Sequence, residues 1–407
     1  MALEELSVRE RAIQVLRGTV PQRLPFITRL ETWYTAHQRT HSLPQRFQGL
    51  SLDEVHHRLG VGRLKFIVPY KYRLKGVELH ATFNDQELLR LAEPEVENFP
   101  GLWDLVPTDR AGTTRTELLT PVGRLSLTHV LLEEGVTNAT DPYLKEHLVK
   151  DAADLRTVEW ILERMEFVPA FDAVRAMEAQ IGGQGLVVPL TQRIPFQQAL
   201  LEYLGEINLF YALHDDPALV RRLLDLLDRQ QLEALGRLAE LDVPYVEFPD
   251  NLHGLMTNPK LFREHCLPVY QKYTDLLHRQ GKQAGSHTDG DIRNLLGLLA
   301  ESGLDVCESV SPLPLTSLTF RAANRAWRGR PLVWGGLPTP ILEAKTSEAE
   351  FQAYLDDFFA AVDQPLILGL VDLFLRHNSI ERVETIARRV AAFDLPARLA
   401  APTGMPA

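Results

Sequence analysis

The segments VEFPDNLHG (246–254), LFREHCLPVYQKYTDLLHRQGK (261–282) and QAGSHTDG (283–290) decide the fold. Val243–Phe248 and Gln283–His287 are short apolar runs ending in polar residues, which predicts two buried parallel strands. The apolar spacing between them predicts a helix over 258–280. Asp250 and His287 then lie just past the C-terminal ends of neighbouring strands, where an α/β barrel carries its chemistry. Fifteen residues intervene between Asp250 and Cys266, and twenty between Cys266 and His287. A carboxylate, a thiolate and an imidazole meeting at one rim would make a three-ligand zinc site with an open fourth position. Glu247 and Asn251 stand beside Asp250 as alternative oxygen donors.

The same unit recurs outward from this stretch. LVVPLTQ (186–192), LDVCES (304–309), PLVWGG (331–336) and PLILGL (365–370) read as further short strands. Helical patterns fall at 291–302, 317–328, 345–361 and 379–393. Repeated strand–helix units over 182–395 predict a parallel sheet. With LPFITRL (24–30) the strands number seven, and EFVPAF (166–171) is the candidate for the eighth of a closed (β/α)8 barrel. Residues 5–18 read as a helix. Residues 60–135 differ: LKFIVP, VELHATF, TRTELLT and GRLSLTHVLL alternate, with the turn signal Thr120-Pro121-Val122-Gly123, and predict a β-rich antiparallel insertion.

Composition narrows the function. The chain has 407 residues, 45% of them hydrophobic, enough for one large barrel with insertions or for two domains. Its net charge of −11 comes with both signs interspersed and no basic stripe, so nucleic acid is not an expected partner. No apolar run approaches the length of a membrane span. The N-terminus is a charged amphipathic pattern with no apolar core of a signal peptide. Two cysteines, Cys266 and Cys307, make no disulfide framework, which points to a reducing cytoplasm. The Gly182-Gly183-Gln184-Gly185 run precedes a strand, so it is no dinucleotide-binding fingerprint.

Other candidate site residues follow strand ends. Arg29, Trp33 and Tyr34 follow the first strand, and Arg193 follows LVVPLT. Trp334 precedes Gly335-Gly336, and Asp372 follows the last strand. All are expected to converge with His287 over the barrel, rim packing being the alternative. Asp289 can orient the His287 imidazole, or with Asp291 cap the next helix.

Several motifs resemble one superfamily across nearly the whole chain. They are SVRERAIQVLRGTVPQRLPF (7–26), the TPVG turn, residues 261–282, the H-x-D-G at His287, LLAESGLD (298–305) and PLILG…IERVETIA. The resemblance is to uroporphyrinogen decarboxylase-like proteins. It implies one (β/α)8 barrel with an N-terminal extension. It also implies one of two activities: a cofactor-free decarboxylase of haem synthesis, or a zinc methyltransferase that works with a corrinoid protein. The arginine-rich R-Q-A-G-R type motif of the decarboxylase is replaced by TRLETWYTAHQR (28–39), which keeps only Arg29. The H-x-C of the thiol methyltransferases reads H-T-D. The order of acid, cysteine, twenty residues and histidine resembles the O-demethylating branch. That likeness implies zinc on Asp250, Cys266 and His287, a small O-, N- or S-methyl donor, and a corrinoid protein as acceptor. Arg29, Asp289 and Asp372 are the candidate catalytic residues; Trp33, Tyr34, Arg193 and Trp334 are the candidate substrate contacts.

Overall fold

The computed structural model describes residues 6–371 and 373–400. In chain order the strands are β1 (Ile27–Thr28), β2 (Gly62–Ile67), β3 (Tyr70–Leu74), β4 (Glu78–Phe83), β5 (Gln86–Ala92), β6 (Glu95–Val96), β7 (Gly112–Thr120), β8 (Gly123–Leu131), β9 (Tyr143–Glu146), β10 (Met165–Pro169), β11 (Gly185–Pro189), β12 (Tyr245–Phe248), β13 (Gln283–His287), β14 (Val306–Val310), β15 (Leu332–Pro338) and β16 (Ile367–Val371). The protein is mixed α/β, with parallel and antiparallel sheets. Strands β1, β2 and β11 pair in parallel, and β12 to β16 pair in parallel in sequence order. Single parallel bridges join Leu190 to Glu247 and Phe26 to Leu368. The parallel pairings therefore run through eight strands and return to the first. Two antiparallel sheets, β5-β4-β7-β8-β9 and β10-β3-β6, lie beside them.

Two strand assignments differ from the sequence reading. LKFIVP, expected in the antiparallel region, forms β2 and pairs in parallel with β1 and β11. EFVPAF, expected as the eighth parallel strand, lies in β10 and pairs antiparallel with β3. Both runs are short and apolar, and periodicity does not tell a parallel edge from an antiparallel one. What sets β2 apart is its approach. The helix Leu52–Leu59 ends at left-handed Gly60 and delivers the chain directly into the strand, completing a crossover from β1.

Side chains on the parallel strands alternate between two cores. Ile27, Leu64, Leu186, Val188, Tyr245, Val306, Leu332, Trp334 and Ile367 form one cluster with Ala12, Val15 and Leu16. The last three belong to the helix Val8–Leu16, which Ser7 and Glu10 start with a capping box. Intervening residues such as Val246, Phe248, Ala284, Cys307 and Leu368 face the second, larger core that includes the helices. The period of two carries this pattern forward. Glu247 shares a face with Tyr245, His287 with Gly285, and Glu308 with Val306, so these three polar side chains continue the inner face at the C-terminal ends of β12, β13 and β14. Among the described residues, no helix is long and apolar enough to cross a membrane.

Candidate active site

Glu247, His287 and Glu308 form the candidate site. Their ligand atoms all lie within 4.8 Å of one another. Tyr245 Oη donates to Glu247 Oε2 at 2.9 Å. Glu247 Oε1 is buried without a hydrogen-bond partner and stands 3.8 Å from His287 Nδ1. His287 Nδ1 is 2.5 Å from Glu308 Oε2, and its Nε2 is 3.5 Å from Asp289 Oδ2. Two local features build this arrangement. A Cβ on Gly285 would sit 1.9 Å from Tyr245 Oη, so the glycine in QAGSH is what lets the phenol cross to Glu247. Strand β14 shifts register between Glu308 and Val310, with Ser309 at φ 59°, a bulge that re-aims Glu308.

The electrostatics follow from burial in a crowd of acids. Burial and the neighbouring Glu308 push the Glu247 carboxyl well above the ordinary carboxylate value. Burial opposes charge on His287, but Glu308 and then Asp289 outweigh it and raise the imidazole to about 10. Burial would raise Asp289, yet His287 holds it below the usual value. Opposed shifts among neighbouring buried groups are a feature that functional sites share with structural ion-pair networks.

Arg29 adds positive charge at the edge of this group. Its guanidinium lies 5.0 Å from the Phe66 ring centre, and its charge opposes the rise of Glu247. Arg29, Glu31, Thr32, Lys65, Phe66 and Phe374 are among the residues lining a cleft of about 180 Å³ there.

The other expected residues fall elsewhere. Asp250 is buried and spent on three hydrogen bonds: from Ile194 N at 2.8 Å, Tyr270 Oη at 2.6 Å and Ser286 Oγ at 3.0 Å. Cys266 is buried beside it, at the end of a π-helical turn over Phe262–Cys266. Burial and then the Asp250 charge push its thiol well above the ordinary value. Of the expected zinc ligands the structure thus brings His287 to the acidic group, and Asp250 and Cys266 sit outside it. Arg193, expected at substrate, donates from Nε to Glu202 at 3.0 Å and from Nη1 to Asn251 at 2.7 Å. Trp33 is buried against Phe47 and Phe374, at ring distances of 6.2 and 6.0 Å. Tyr34 donates to Leu50 O at 2.6 Å. Trp334 packs in the inner core, 5.8 Å from Tyr245 and 3.3 Å from Ile27 O. Both tryptophans fill cores because a large apolar ring gains most from full burial. Asp372 lies outside the described residues. The sequence reading does not single out Glu308. Its signal was the alternation in VCESV, where Cys307 and Ser309 share the outer phase and the glutamate takes the inner one.

Residues 133–356, more than half the chain, match the family model for uroporphyrinogen decarboxylase (URO-D). The chain belongs to the URO-D family. No curated protein matches it in sequence. A methyltransferase from Methanosarcina mazei aligns with a TM-score of 0.57 at 12% identity, covering 96% of this chain and 100% of its own. At that identity the likeness shows the fold alone. Within this URO-D member, three of the matched strands, β12 to β14, supply Glu247, His287 and Glu308. Family and fold together support an enzyme.

Proposed function

We propose that this URO-D family member is a metal-dependent methyltransferase. It takes a methyl group from a small O-, N- or S-methyl compound and passes it to a corrinoid protein in the cytoplasm. The cycle of parallel strands acts as a single (β/α)8 barrel, with the antiparallel region around residues 60–135 as an insertion. The observation that carries this reading is the Glu247–His287–Glu308 group, with one Glu247 oxygen buried and unpartnered.

The residues fit a divalent cation. An orphan buried carboxylate oxygen is costly unless something positive meets it. Two carboxylates and an imidazole form an oxygen–nitrogen donor set that zinc accepts. Zinc, when bound, supplies Lewis-acid polarisation of the heteroatom that carries the methyl group. The chain's own residues do the rest. Tyr245 fixes one Glu247 oxygen and leaves the other free. Asp289 faces His287 Nε2 and leaves Nδ1 for the acids. Arg29, standing over Phe66, offers a cation to a polar group of the donor. The acceptor chemistry belongs to the corrinoid partner.

Charge weighs against the decarboxylase alternative. Glu247, Glu308 and Asp289 surround His287, and Arg193 is engaged by Glu202 and Asn251. A polycarboxylate substrate would have to lie against these acids.

Zinc per chain, by elemental analysis of protein purified without chelators, tests the metal. Methyl transfer from a panel of methoxy, methylamine and methylthio compounds to reduced cobalamin tests the reaction. About one zinc in wild type and almost none in Glu308→Gln is the expected result. Zinc lost from Cys266→Ala instead would move the site to the Asp250, Cys266 and His287 set. Metal-free wild type that decarboxylates a porphyrinogen would overturn the reading.

A further inference from the structure

Behind His287 a chain of polar side chains crosses three strand-end loops. Glu202 Oε1 accepts from Arg193 Nε at 3.0 Å, and Arg193 Nη1 donates to Asn251 Oδ1 at 2.7 Å. Asn251 Nδ2 donates to Asp289 Oδ2 at 3.1 Å, and that oxygen lies 3.5 Å from His287 Nε2. Glu202 is buried. Asn251 holds a left-handed backbone, φ 50°, which asparagine tolerates better than most residues. Its two neighbours dictate how its amide points. A guanidinium can only donate and an ionised carboxylate can only accept, so Oδ1 must face Arg193 and Nδ2 must face Asp289. No other arrangement of the amide satisfies both.

We propose that Asn251 is a positioning residue: held by Arg193, it fixes Asp289, which keeps the proton of His287 on Nε2 and turns Nδ1 toward Glu247 and Glu308. The nitrogen that meets a metal is set by the hydrogen bond of the other nitrogen. This inference rests on the metal site proposed above and says which atom of His287 serves it. It also explains an amide between two charged groups, where an acid would repel Asp289 and an apolar residue would leave Arg193 with Glu202 alone and Asp289 with His287 alone.

A swap can reverse the middle bond of this chain and keep the two outer ones. Asn251→Asp keeps an acceptor for Arg193 but sets a carboxylate against Asp289. Asp289→Asn keeps an acceptor for His287 but sets two amide donors face to face, unless the Asn251 amide turns and loses Arg193. With both substitutions together, Arg193 and the new amide at 289 donate to the new carboxylate at 251. The amide oxygen at 289 then accepts from His287 Nε2.

The test measures zinc affinity by competition with a chromophoric chelator for wild type, both single variants and the double variant. Each single change is expected to weaken zinc by about 10- to 100-fold, the range for partners behind a metal ligand, and the double variant to recover most of that loss. Nitrogen NMR of labelled histidine in the zinc-loaded protein should place the metal on Nδ1 of His287 and the proton on Nε2. In the metal-free protein, the His287 Nε2–H signal should be visible in wild type and in the double variant, and lost to exchange in the single variants. A double variant no better than the worse single variant, or zinc on Nε2, would overturn the proposal. If wild type binds no zinc, the proposed function fails, and the metal-free signal still decides this inference.

Discussion

Two buried acids, Glu247 and Asp250, lie three residues apart and have opposite fates. Asp250 faces the loop after β11, the helix Leu267–Arg279 and β13, and three donors satisfy it. Glu247 faces the inside of the parallel strands, where one phenol holds one oxygen and the other oxygen is left bare. Burial raises both carboxyls, but hydrogen bonds from Tyr270, Ile194 and Ser286 oppose it at Asp250, and a second acid adds to it at Glu247. A satisfied buried acid is a fastener, while an unsatisfied one beside another acid is a place for a cation. The difference is one of strand phase. Glu247 is the last inward residue of β12, and Asp250 lies past the strand, where the chain has turned back to the helices.

The largest effect expected from this contrast is on metal. Glu308→Gln removes a proposed ligand from the inner group and should weaken zinc by more than the roughly 10- to 100-fold typical of partners one step removed. Asp250→Ala should leave zinc affinity within a few fold of wild type, read in the same chelator competition on folded protein. If the two variants lost zinc equally, the distinction between site and fastener would collapse.

Stability should show the reverse. Asp250→Ala strands the Ile194 amide and leaves the Tyr270 and Ser286 hydroxyls with only each other, 3.1 Å apart, which should cost about 2–4 kcal/mol in denaturant unfolding. Glu247→Gln should stay within about 1 kcal/mol of wild type in metal-free protein. The reason is charge. Burial and Glu308 already disfavour the charged form of this carboxyl, and an amide reproduces its shape.

The strands behind this contrast are legible in the sequence, the choice between the two acids is not, and the limits have physical causes. YVEF, QAGSH and VCES announced parallel strands with polar ends, and His287 emerged at once because it ends its strand. The ligand oxygen was harder to place. Asp250, Asn251 and Glu247 all cluster at one strand end, and choosing between them requires the phase of the strand, which Tyr245 sets by packing inside with Trp334. Glu308 was hidden by Cys307, whose chemistry draws the eye although its side chain faces the outer core. The parallel pairing of β2 is not legible for a related reason, since alternation reveals a strand but not its partner.

The pH profile sharpens the contrast further. His287 titrates near 6.5 in an unfolded chain and at about 10 in the fold. A raised value means that the native state binds the proton more tightly. The stability this gives is complete below pH 6.5 or so and is lost as pH rises through 10. Metal-free protein should therefore lose on the order of a few kcal/mol between about pH 7 and 10. The raised carboxyl of Glu247 acts in the same direction, starting lower, as pH climbs past its ordinary 4.5. Saturating zinc should flatten the upper part of the profile, because the cation replaces the proton among the acids. His287→Gln should flatten it as well. A profile unchanged by either would show that the imidazole does not hold its charge through Glu308 and Asp289.

The smallest expected effect falls on Cys266. Its thiol is buried in the outer core beside Asp250, and burial keeps it protonated far above neutral pH. A protonated thiol in apolar surroundings packs as a small hydrophobe. Cys266→Ala removes one sulfur from that packing and should cost about 1 kcal/mol, read as a shift of the unfolding midpoint. Its zinc content should match wild type, because the oxygen and nitrogen donors of β12 to β14 are untouched. The spacing of Cys266 to His287 argues the other way, since it is the spacing of a zinc ligand pair in the branch the sequence resembles. The two outcomes are cleanly separated. A variant that keeps its zinc and loses a little stability assigns Cys266 to the fastener with Asp250. A variant that folds as well as wild type but carries no zinc would mean that the thiol swings from the helix turn to His287 when metal arrives, and Asp250 would then cross from the satisfied region to the site.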